Sequence, residues 1–170
     1  MPSQTLREAG GKGIRMDGGE QGQVWGLETI TEGEFAGWNH FVGGDPFEDH
    51  AGPFYWRKDE AGLPRCAFRA EARHMNGGGF MHGGCIMTFA DFALFVIARD
   101  VLTDSHSVTA TFNGEFVGAV PEGALVEATG EVVKAGRSMV FVRGLITTGS
   151  DPVMSFSAVI KKTGPRTKRG

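Results

Sequence analysis

The stretch from Cys85 to Ala98 is almost entirely apolar, and a single acid lies inside it. Its only polar residues are Thr88 and Asp91, and Asp91 carries its only charge. The run is shorter than the roughly 20 apolar residues that cross a bilayer, and a helix that is apolar on every side fits the centre of a folded core. The sequence therefore predicts a buried helix around which the rest of the chain packs.

Asp91 is the first candidate for a functional residue. A carboxylate among hydrocarbon side chains is costly unless it is paired or protonated. Burial also raises the pKa of a carboxyl group, which suits a general base near neutral pH. We therefore interpret Asp91 as a general base or nucleophile. The alternative is a structural carboxylate that binds backbone amides or an arginine.

The composition excludes several other classes of protein. The 170 residues fit one domain, and the net charge of −3 does not favour binding to nucleic acid or to a membrane surface. Two cysteines, Cys66 and Cys85, form neither a disulfide framework nor a zinc spacing. The amino terminus has no secretory signal pattern. We expect a cytoplasmic protein with no membrane span.

The first 52 residues are predicted to lie outside the main domain. Residues 1–23 are polar and rich in glycine, which is typical of a disordered arm. Residues 24–52 form an extension in which a capping box at Thr31 predicts a short helix that ends at Gly43. Asp45-Pro46 then predicts a turn. The helix would cover one end of the core or act as a lid over an apolar ligand.

Strand patterns precede and follow the predicted central helix. Two strands come first, at 54–58 and 65–73, and four follow, at 105–117, from the turn at 121–123 through 134, at 138–148 and at 154–160. In the first of these four, Val108, Ala110 and Phe112 alternate with polar residues, which predicts a half-buried strand. A curved antiparallel sheet wrapped around one long helix is an α+β arrangement. We expect this domain to span 53–163 and a basic, frayed tail to occupy 164–170.

The layout and one motif resemble the hotdog fold and, within it, the PaaI-like acyl-CoA thioesterases of the 4-hydroxybenzoyl-CoA thioesterase superfamily. In the motif an Asn lies six residues before a His-Gly-Gly, and an Asp follows that histidine by nine residues, inside the apolar helix. The matching residues are Asn76, Gly79, His82, Gly83, Gly84, Thr88 and Asp91. The resemblance covers about 53–162. It implies hydrolysis of acyl-coenzyme A thioesters, with no cofactor, by a homodimer or a dimer of dimers.

Helix geometry predicts how the site is assembled. Gly83 lies where the helix begins, and the first amides of a helix can hold a developing oxyanion. Asp91 lies eight residues further on, which is about 12 Å along the axis. One helix can hardly place both groups on the same carbonyl carbon. We therefore predict a site shared across a dimer, with Gly83 from one subunit and Asp91 from the other.

Three more residues are candidates for the catalytic site. The Asn76 amide can donate to the carbonyl or orient a water, although Asn beside Gly is also common in loops. The resemblance implies that Thr109, eighteen residues after Asp91, hydrogen-bonds the attacking water, although threonine also simply favours strands. It also implies that His82 braces the loop. Cys85, as a thiolate at the helix start, is the less favoured alternative nucleophile.

Coenzyme A needs cations for its phosphates. The predicted hairpin containing Lys134, Gly136 and Arg137 offers charged side chains and free amides together. Arg73 and the Lys161-Lys162 pair are further candidates. The histidine spacings show no metal signature, so no metal is expected.

Two other functions fit a hotdog fold. A hydratase or dehydratase would resemble its relatives in having a histidine five positions after the acid, but Val96 occupies that position. A non-catalytic acyl-CoA-binding protein would keep the fold without turnover. The sequence leaves open the acyl group, dimer against tetramer, and direct attack by Asp91 against activation of water.

Overall fold

The computed structural model describes residues 26–103 and 105–165. Its strands and helices follow in the order β1 (Gly26–Thr29), β2 (Asn39–Val42), α1 (Pro46–Ala51), β3 (Tyr55–Lys58), β4 (Pro64–Arg69), α2 (Gly83–Ile97), β5 (Ser105–Phe116), β6 (Leu125–Ala135), β7 (Met139–Thr148) and β8 (Asp151–Pro165). Short 3-10 helices lie at Ala72–His74 and Arg99–Val101. The predicted arm at 1–23 and most of the predicted tail lie outside the described residues.

One antiparallel sheet holds all eight strands, in the order β1-β2-β3-β4-β6-β7-β8-β5. Helix α2 is buried on most sides, as its composition predicts, and only a few of its residues reach the surface. Phe89 of α2 lies 4.7 Å from the Phe68 ring and 5.3 Å from the Phe54 ring, measured between ring centroids. The sheet therefore wraps around the helix, and the predicted hotdog architecture is confirmed.

Position 144 in β7 has room only for glycine, because the Phe156 side chain of β8 and the backbone of β6 lie close to it. A Cβ atom added there would overlap the Phe156 ring and lie 2.6 Å from the Thr129 carbonyl oxygen. Since interiors are packed at crystal-like density, neither neighbour has free space to move into. The glycine thus lets β6, β7 and β8 pack tightly beneath the Phe156 side chain.

The predicted helix between Thr31 and Gly43 is wrong. The segment instead forms the β1–β2 hairpin, whose connecting turn has Gly33 at φ 80° and Gly37 at φ 82°. These left-handed conformations suit glycine in a turn and interrupt a right-handed helix. The aromatic spacing reflects packing on β3 instead, since the Phe35 ring stacks on Tyr55 at 4.1 Å.

The helix of the extension begins where a turn was predicted. Pro46 is the first residue of α1, and the Asp45 carboxylate caps it by accepting hydrogen bonds from the amides of Phe47 and Glu48, both at 3.1 Å. Asp at the N-cap followed by Pro at the first helical position is a standard helix start. The same two residues therefore open a helix.

The two ends of the strand pattern also differ from the prediction. β4 ends at Arg69, because 72–74 forms a 3-10 helix. β8 is longer than predicted: it begins at Asp151 and continues to Pro165, and Lys161 pairs with Val108. The expected frayed tail thus begins within a paired strand.

The alternation predicted for β5 is broken by a bulge between Thr109 and Thr111. Val108 is half exposed and Ala110 is exposed, whereas the Thr109 side chain faces α2. A bulge adds one residue to one strand and so reverses the side-chain order beyond it. The irregularity lies beside Asp91.

Candidate active site

The glycine-rich loop before α2 is closed by Asn76. The Asn76 backbone amide donates to the Phe80 carbonyl at 2.6 Å, and the Asn76 side-chain oxygen accepts from the Gly78 backbone amide at 2.7 Å. Gly79 has φ 82°, a conformation that favours glycine. The Asn76 side-chain oxygen therefore holds the loop, and among residues 26–103 and 105–165 its NH₂ group has no hydrogen-bond acceptor.

His82 caps the first turn of α2. Its Nδ1 accepts a hydrogen bond from the Gly84 amide at 2.9 Å, and its own amide donates to the His74 carbonyl at 2.8 Å. Because Nδ1 acts as an acceptor, the neutral ring carries its proton on Nε2. These two hydrogen bonds tie the loop to the start of α2, and the role of His82 in the reaction stays a prediction.

Gly83 is the first residue of α2 and lies beside an exposed aromatic ring. A Cβ atom added at Gly83 would be 3.3 Å from the Phe116 ring, and the Phe116 side chain is 51% exposed. Within 26–103 and 105–165, no acceptor is found for the Gly83 amide. The first amides of a helix point outward at the positive end of its dipole. The Gly83 amide is therefore available to an anionic oxygen.

Asp91 is paired with Thr109. The Thr109 hydroxyl donates a hydrogen bond of 2.6 Å to the Asp91 carboxylate, across the gap between α2 and β5. Burial raises the pKa of Asp91, the Thr109 hydroxyl opposes that rise, and the Asp45 charge adds to it. The half-buried carboxylate thus keeps a proton affinity above that of an exposed aspartate, as a general base requires.

A second carboxyl group with a raised pKa, which the sequence analysis missed, lies on helix α1. Glu48 is half-buried on α1, which packs on α2. Burial raises the pKa of Glu48 to about 8, with further contributions from the charges of Asp45, Asp91 and Asp49. The Asp45-Pro46 helix start could have indicated α1 from sequence. Only the packing of the two helices exposes Glu48 to the charge of Asp91.

The thiol of Cys85 is not activated. Burial raises its pKa to about 11, and the nearby positive charge of Arg73 only partly opposes the rise. The His82 nitrogen nearest the turn is occupied by the Gly84 amide. A thiol with a raised pKa is a poor nucleophile at neutral pH, which removes the support for covalent catalysis by Cys85.

The predicted phosphate-binding cations fall into two groups. Lys134 and Arg137 are exposed on the β6–β7 hairpin, where the Gly136 amide donates to the Met139 carbonyl at 2.8 Å. Lys162 lies beside this hairpin, since its amide donates to the Ser138 carbonyl at 2.9 Å. The hairpin and the end of β8 thus form one basic edge.

Arg73 has a different set of partners. Its guanidinium donates to the carbonyl oxygens of His50 and Gly52 and, at 2.9 Å, to the Glu71 carboxylate. These contacts fix the end of α1 against the 3-10 helix that precedes the glycine-rich loop. Arg73 therefore helps to hold the extension in place against the main domain.

In 26–103 and 105–165, no group of three or more His, Cys, Asp or Glu side chains could hold a metal ion. Over the same residues, no helix is both long enough and apolar enough to cross a membrane.

Comparisons with known proteins identify the family of this chain. Residues 78–155 match the family model described as the thioesterase superfamily. The Pseudomonas aeruginosa protein named Putative esterase PA0474 is 32% identical over 115 residues, which cover 67% of this chain and 86% of that protein. The chain belongs to the thioesterase superfamily, and it is a thioester hydrolase.

Solved structures support the fold. The E. coli PaaI protein from the phenylacetic acid degradation operon aligns with a TM-score of 0.63 and 19% identity, over 72% of this chain and 87% of that one. A hypothetical thioesterase protein from Streptococcus pneumoniae, solved with coenzyme A, aligns with a TM-score of 0.58 and 21% identity, over 67% of this chain and 88% of that one. At these identities the likeness concerns the hotdog fold alone.

Proposed function

We propose that this protein hydrolyses the thioester bond of a small aryl or medium-chain acyl-coenzyme A. The observation that carries the proposal is the Asp91–Thr109 hydrogen bond, which holds a half-buried carboxylate in place eight residues after a helix start with an available amide. Coenzyme A in the Streptococcus pneumoniae structure, and acetyl coenzyme A in a protein from Streptococcus mutans with the same fold, support the substrate class.

In the proposed reaction Asp91 attacks the thioester carbon directly or removes a proton from the attacking water. The carbonyl oxygen becomes an oxyanion and receives a hydrogen bond from the Gly83 amide. Loss of one oxyanion donor typically costs about 3–4 kcal/mol of transition-state stabilisation. Thr109 orients the Asp91 carboxylate, and the Asn76 NH₂ group is placed to donate to the substrate. The basic hairpin of Lys134, Gly136 and Arg137 would bind the phosphates.

The site is shared between two subunits. α2 is a single helix over Gly83–Ile97, so the separation of about 12 Å between Gly83 and Asp91 cannot be closed within one subunit. A second copy related by a two-fold axis supplies the missing group. The functional unit would be a homodimer or a dimer of dimers.

A panel of acyl-coenzyme A thioesters tests the activity. Release of free thiol is measured for the wild-type protein and for Asp91→Asn, which removes the base while keeping the shape of the side chain. We expect turnover in the wild type and a loss of at least about 100-fold in the variant, within the usual range for a general base. Binding without thiol release would instead favour a non-catalytic acyl-CoA-binding protein.

A mixed dimer tests the shared site. One subunit carries Asp91→Ala, and the other carries Gly83→Pro, which removes the proposed amide donor at a helix position where proline fits. Each homodimer alone is expected to be inactive. We expect partial activity in mixed dimers, because one of the two sites then has both groups intact. An inactive mixture, in which mixed dimers have been shown to form, would contradict sharing.

The route of attack can be read from oxygen labelling. If Asp91 attacks directly, an acyl-aspartate anhydride forms, and a single turnover in H₂¹⁸O labels the Asp91 carboxyl group when water cleaves that anhydride at the Asp91 carbon. If Asp91 activates water, the label enters only the released acid. Label found by mass spectrometry in the peptide that contains Asp91 therefore demonstrates direct attack.

A further inference from the structure

A large apolar side chain is exposed beside the proposed oxyanion donor. The Phe116 side chain is 51% exposed, and a Cβ atom added at Gly83 would be 3.3 Å from its ring. Phe112 lies on the same face of β5, but it packs against the core and stacks on Phe156, with ring centroids 6.3 Å apart. The inward face of β5 is therefore part of the core at Phe112 and reaches the surface at Phe116.

The helix surface next to Gly83 is also apolar. Met87 follows Gly83 by four residues, and side chains at i and i+4 lie on the same face of a helix. Long helical side chains point back over the preceding turn, so the Met87 side chain is directed towards the turn that contains Gly83. Met87 is 45% exposed. A ligand held at the Gly83 amide thus meets apolar side chains from both β5 and α2.

The basic edge lies at the opposite end of β5 from Phe116. Val108 pairs with Lys161, whereas Phe116 pairs with Met154. The eight positions from Val108 to Phe116 correspond to about 26 Å along a strand. One end of β5 therefore offers cations for phosphate groups, and the other end offers apolar surface.

The shared site relates these two ends to the two halves of the substrate. Thr109, beside the basic edge, binds Asp91, whereas Phe116 lies beside Gly83. In the proposed dimer, Gly83 of one subunit and Asp91 of the partner subunit act on the same thioester carbon, so the nearer basic edge belongs to the subunit that supplies Asp91. The acyl group and the coenzyme A moiety leave that carbon in opposite directions. With the phosphates held at that basic edge, the acyl group extends towards Phe116 of the subunit that supplies Gly83.

We propose that Phe116 contacts the acyl group and selects bulky apolar acyl groups over acetyl. This inference rests on the proposed function, in which the thioester oxygen binds the Gly83 amide. A fatty or aromatic acyl group covers the exposed ring, and binding strengthens with the apolar area that leaves water. An acetyl group is too short to cover the ring, so its hydrolysis does not depend on Phe116.

The test compares acyl groups in matched variants. Phe116→Ala removes the ring, and Phe116→Leu keeps an apolar side chain. Phe141→Ala is the matched control, because Phe141 is 42% exposed on the outer face of β7, between the buried residues Val140 and Val142. For each protein, kcat/KM is measured by release of free thiol from acetyl-, octanoyl- and benzoyl-coenzyme A.

For Phe116→Ala we expect kcat/KM to fall about 30-fold with octanoyl- and benzoyl-coenzyme A and less than about 3-fold with acetyl-coenzyme A, since even one methylene in an apolar pocket is worth about 10–200-fold. Phe116→Leu should keep most of the octanoyl activity, and Phe141→Ala should match the wild type with all three thioesters. Met87→Ala should show the same order of losses at smaller size. A loss confined to one of the two larger substrates supports the contact and identifies the acyl class.

Equal losses with all three thioesters would overturn the assignment, because Phe116 would then act on the Gly83 amide or on the coenzyme A moiety. So would wild-type activity of Phe116→Ala with all three. The mass of each variant in solution is measured by light scattering. An unchanged mass supports the proposal, whereas dissociation of Phe116→Ala would overturn it, since the second subunit would then cover the ring.

Failure of the proposed function gives a different result. In that case the wild type releases no thiol from any thioester, or Asp91→Asn releases it at the wild-type rate. Calorimetric binding then tests the contact without turnover. Octanoyl-coenzyme A should bind the wild type more tightly than free coenzyme A does, and Phe116→Ala should lose this difference; equal binding of the two ligands to the wild type would overturn the proposal.

Discussion

The hydroxyl of Thr109 should set the acid limit of the reaction. Thr109→Val removes the 2.6 Å hydrogen bond to Asp91 and keeps a side chain of nearly the same shape. A hydrogen bond to a charged group contributes about 1.5–3 kcal/mol, and one pKa unit corresponds to 1.36 kcal/mol. Asp91 is only half-buried, and water can partly replace the lost donor, so we take the lower end of this range. The pKa of Asp91 should therefore rise by about one unit in Thr109→Val.

The direction of the shift follows from which form of Asp91 the hydroxyl binds. Thr109 donates to the carboxylate, so it lowers the pKa of Asp91 against the effect of burial. Without it, Asp91 holds its proton to a higher pH. Because only the ionised carboxyl group can act as a base, the acid limb of kcat/KM should move up by about one pH unit.

The measurement is the pH profile of kcat/KM for a coenzyme A thioester, from about pH 4.5 to 7.5. Thr109→Ser is the control, because it keeps the hydroxyl donor, and its acid limb should stay with that of the wild type. If the limb of Thr109→Val coincides with the wild type, the hydrogen bond does not control the ionisation of Asp91. A downward shift would contradict the assigned direction of donation.

Three further predictions concern stability. Glu48 binds its proton more tightly in the folded state, so its contribution to the free energy of unfolding is fully present below about pH 4.5 and is lost as the pH rises to about 8. Over this pH range the free energy of unfolding of the wild type, measured with denaturant, should fall by up to about 5 kcal/mol relative to that of Glu48→Gln. His82→Ala removes the cap on Gly84 and should cost about 1 kcal/mol, a fall of about 2–4 °C in Tm, whereas His82→Asn keeps an acceptor and most of the stability. Gly144→Ala should cost about 1–3 kcal/mol because the new Cβ atom meets Phe156 and the Thr129 carbonyl, while Gly164→Ala, with no atom within 4 Å, should be nearly neutral; equal effects would contradict the packing argument.

Local patterns predict an element correctly where one signal dominates. The apolar run after His82 predicts α2 because no other placement hides that many hydrocarbon side chains from water. The region between Thr31 and Pro46 carries competing signals. A capping-box pattern and helical spacing favour a helix there, but the glycines at 33 and 37 adopt left-handed turns and the aromatic rings pack on β3.

The edge strand β5 shows a different limit. Its alternating residues predict one apolar face, but the bulge after Thr109 reverses the order of the side chains. A bulge depends on how the partner strand β8 is aligned, and that alignment is not encoded within β5 itself. The Thr109 hydroxyl reaches Asp91 because of this long-range pairing.

The sequence by itself determined the central helix, the acid within it, the glycine-rich loop before it and the family they indicate. These features depend on neighbouring residues, whose spacing fixes their positions along one helix and one loop. Only the tertiary structure decided that Arg73 fastens α1 and that the pKa of Glu48 responds to the charge of Asp91, 43 positions further along the chain. Such proximity arises from the packing of whole helices and strands, and that packing minimises exposed apolar surface over the entire chain.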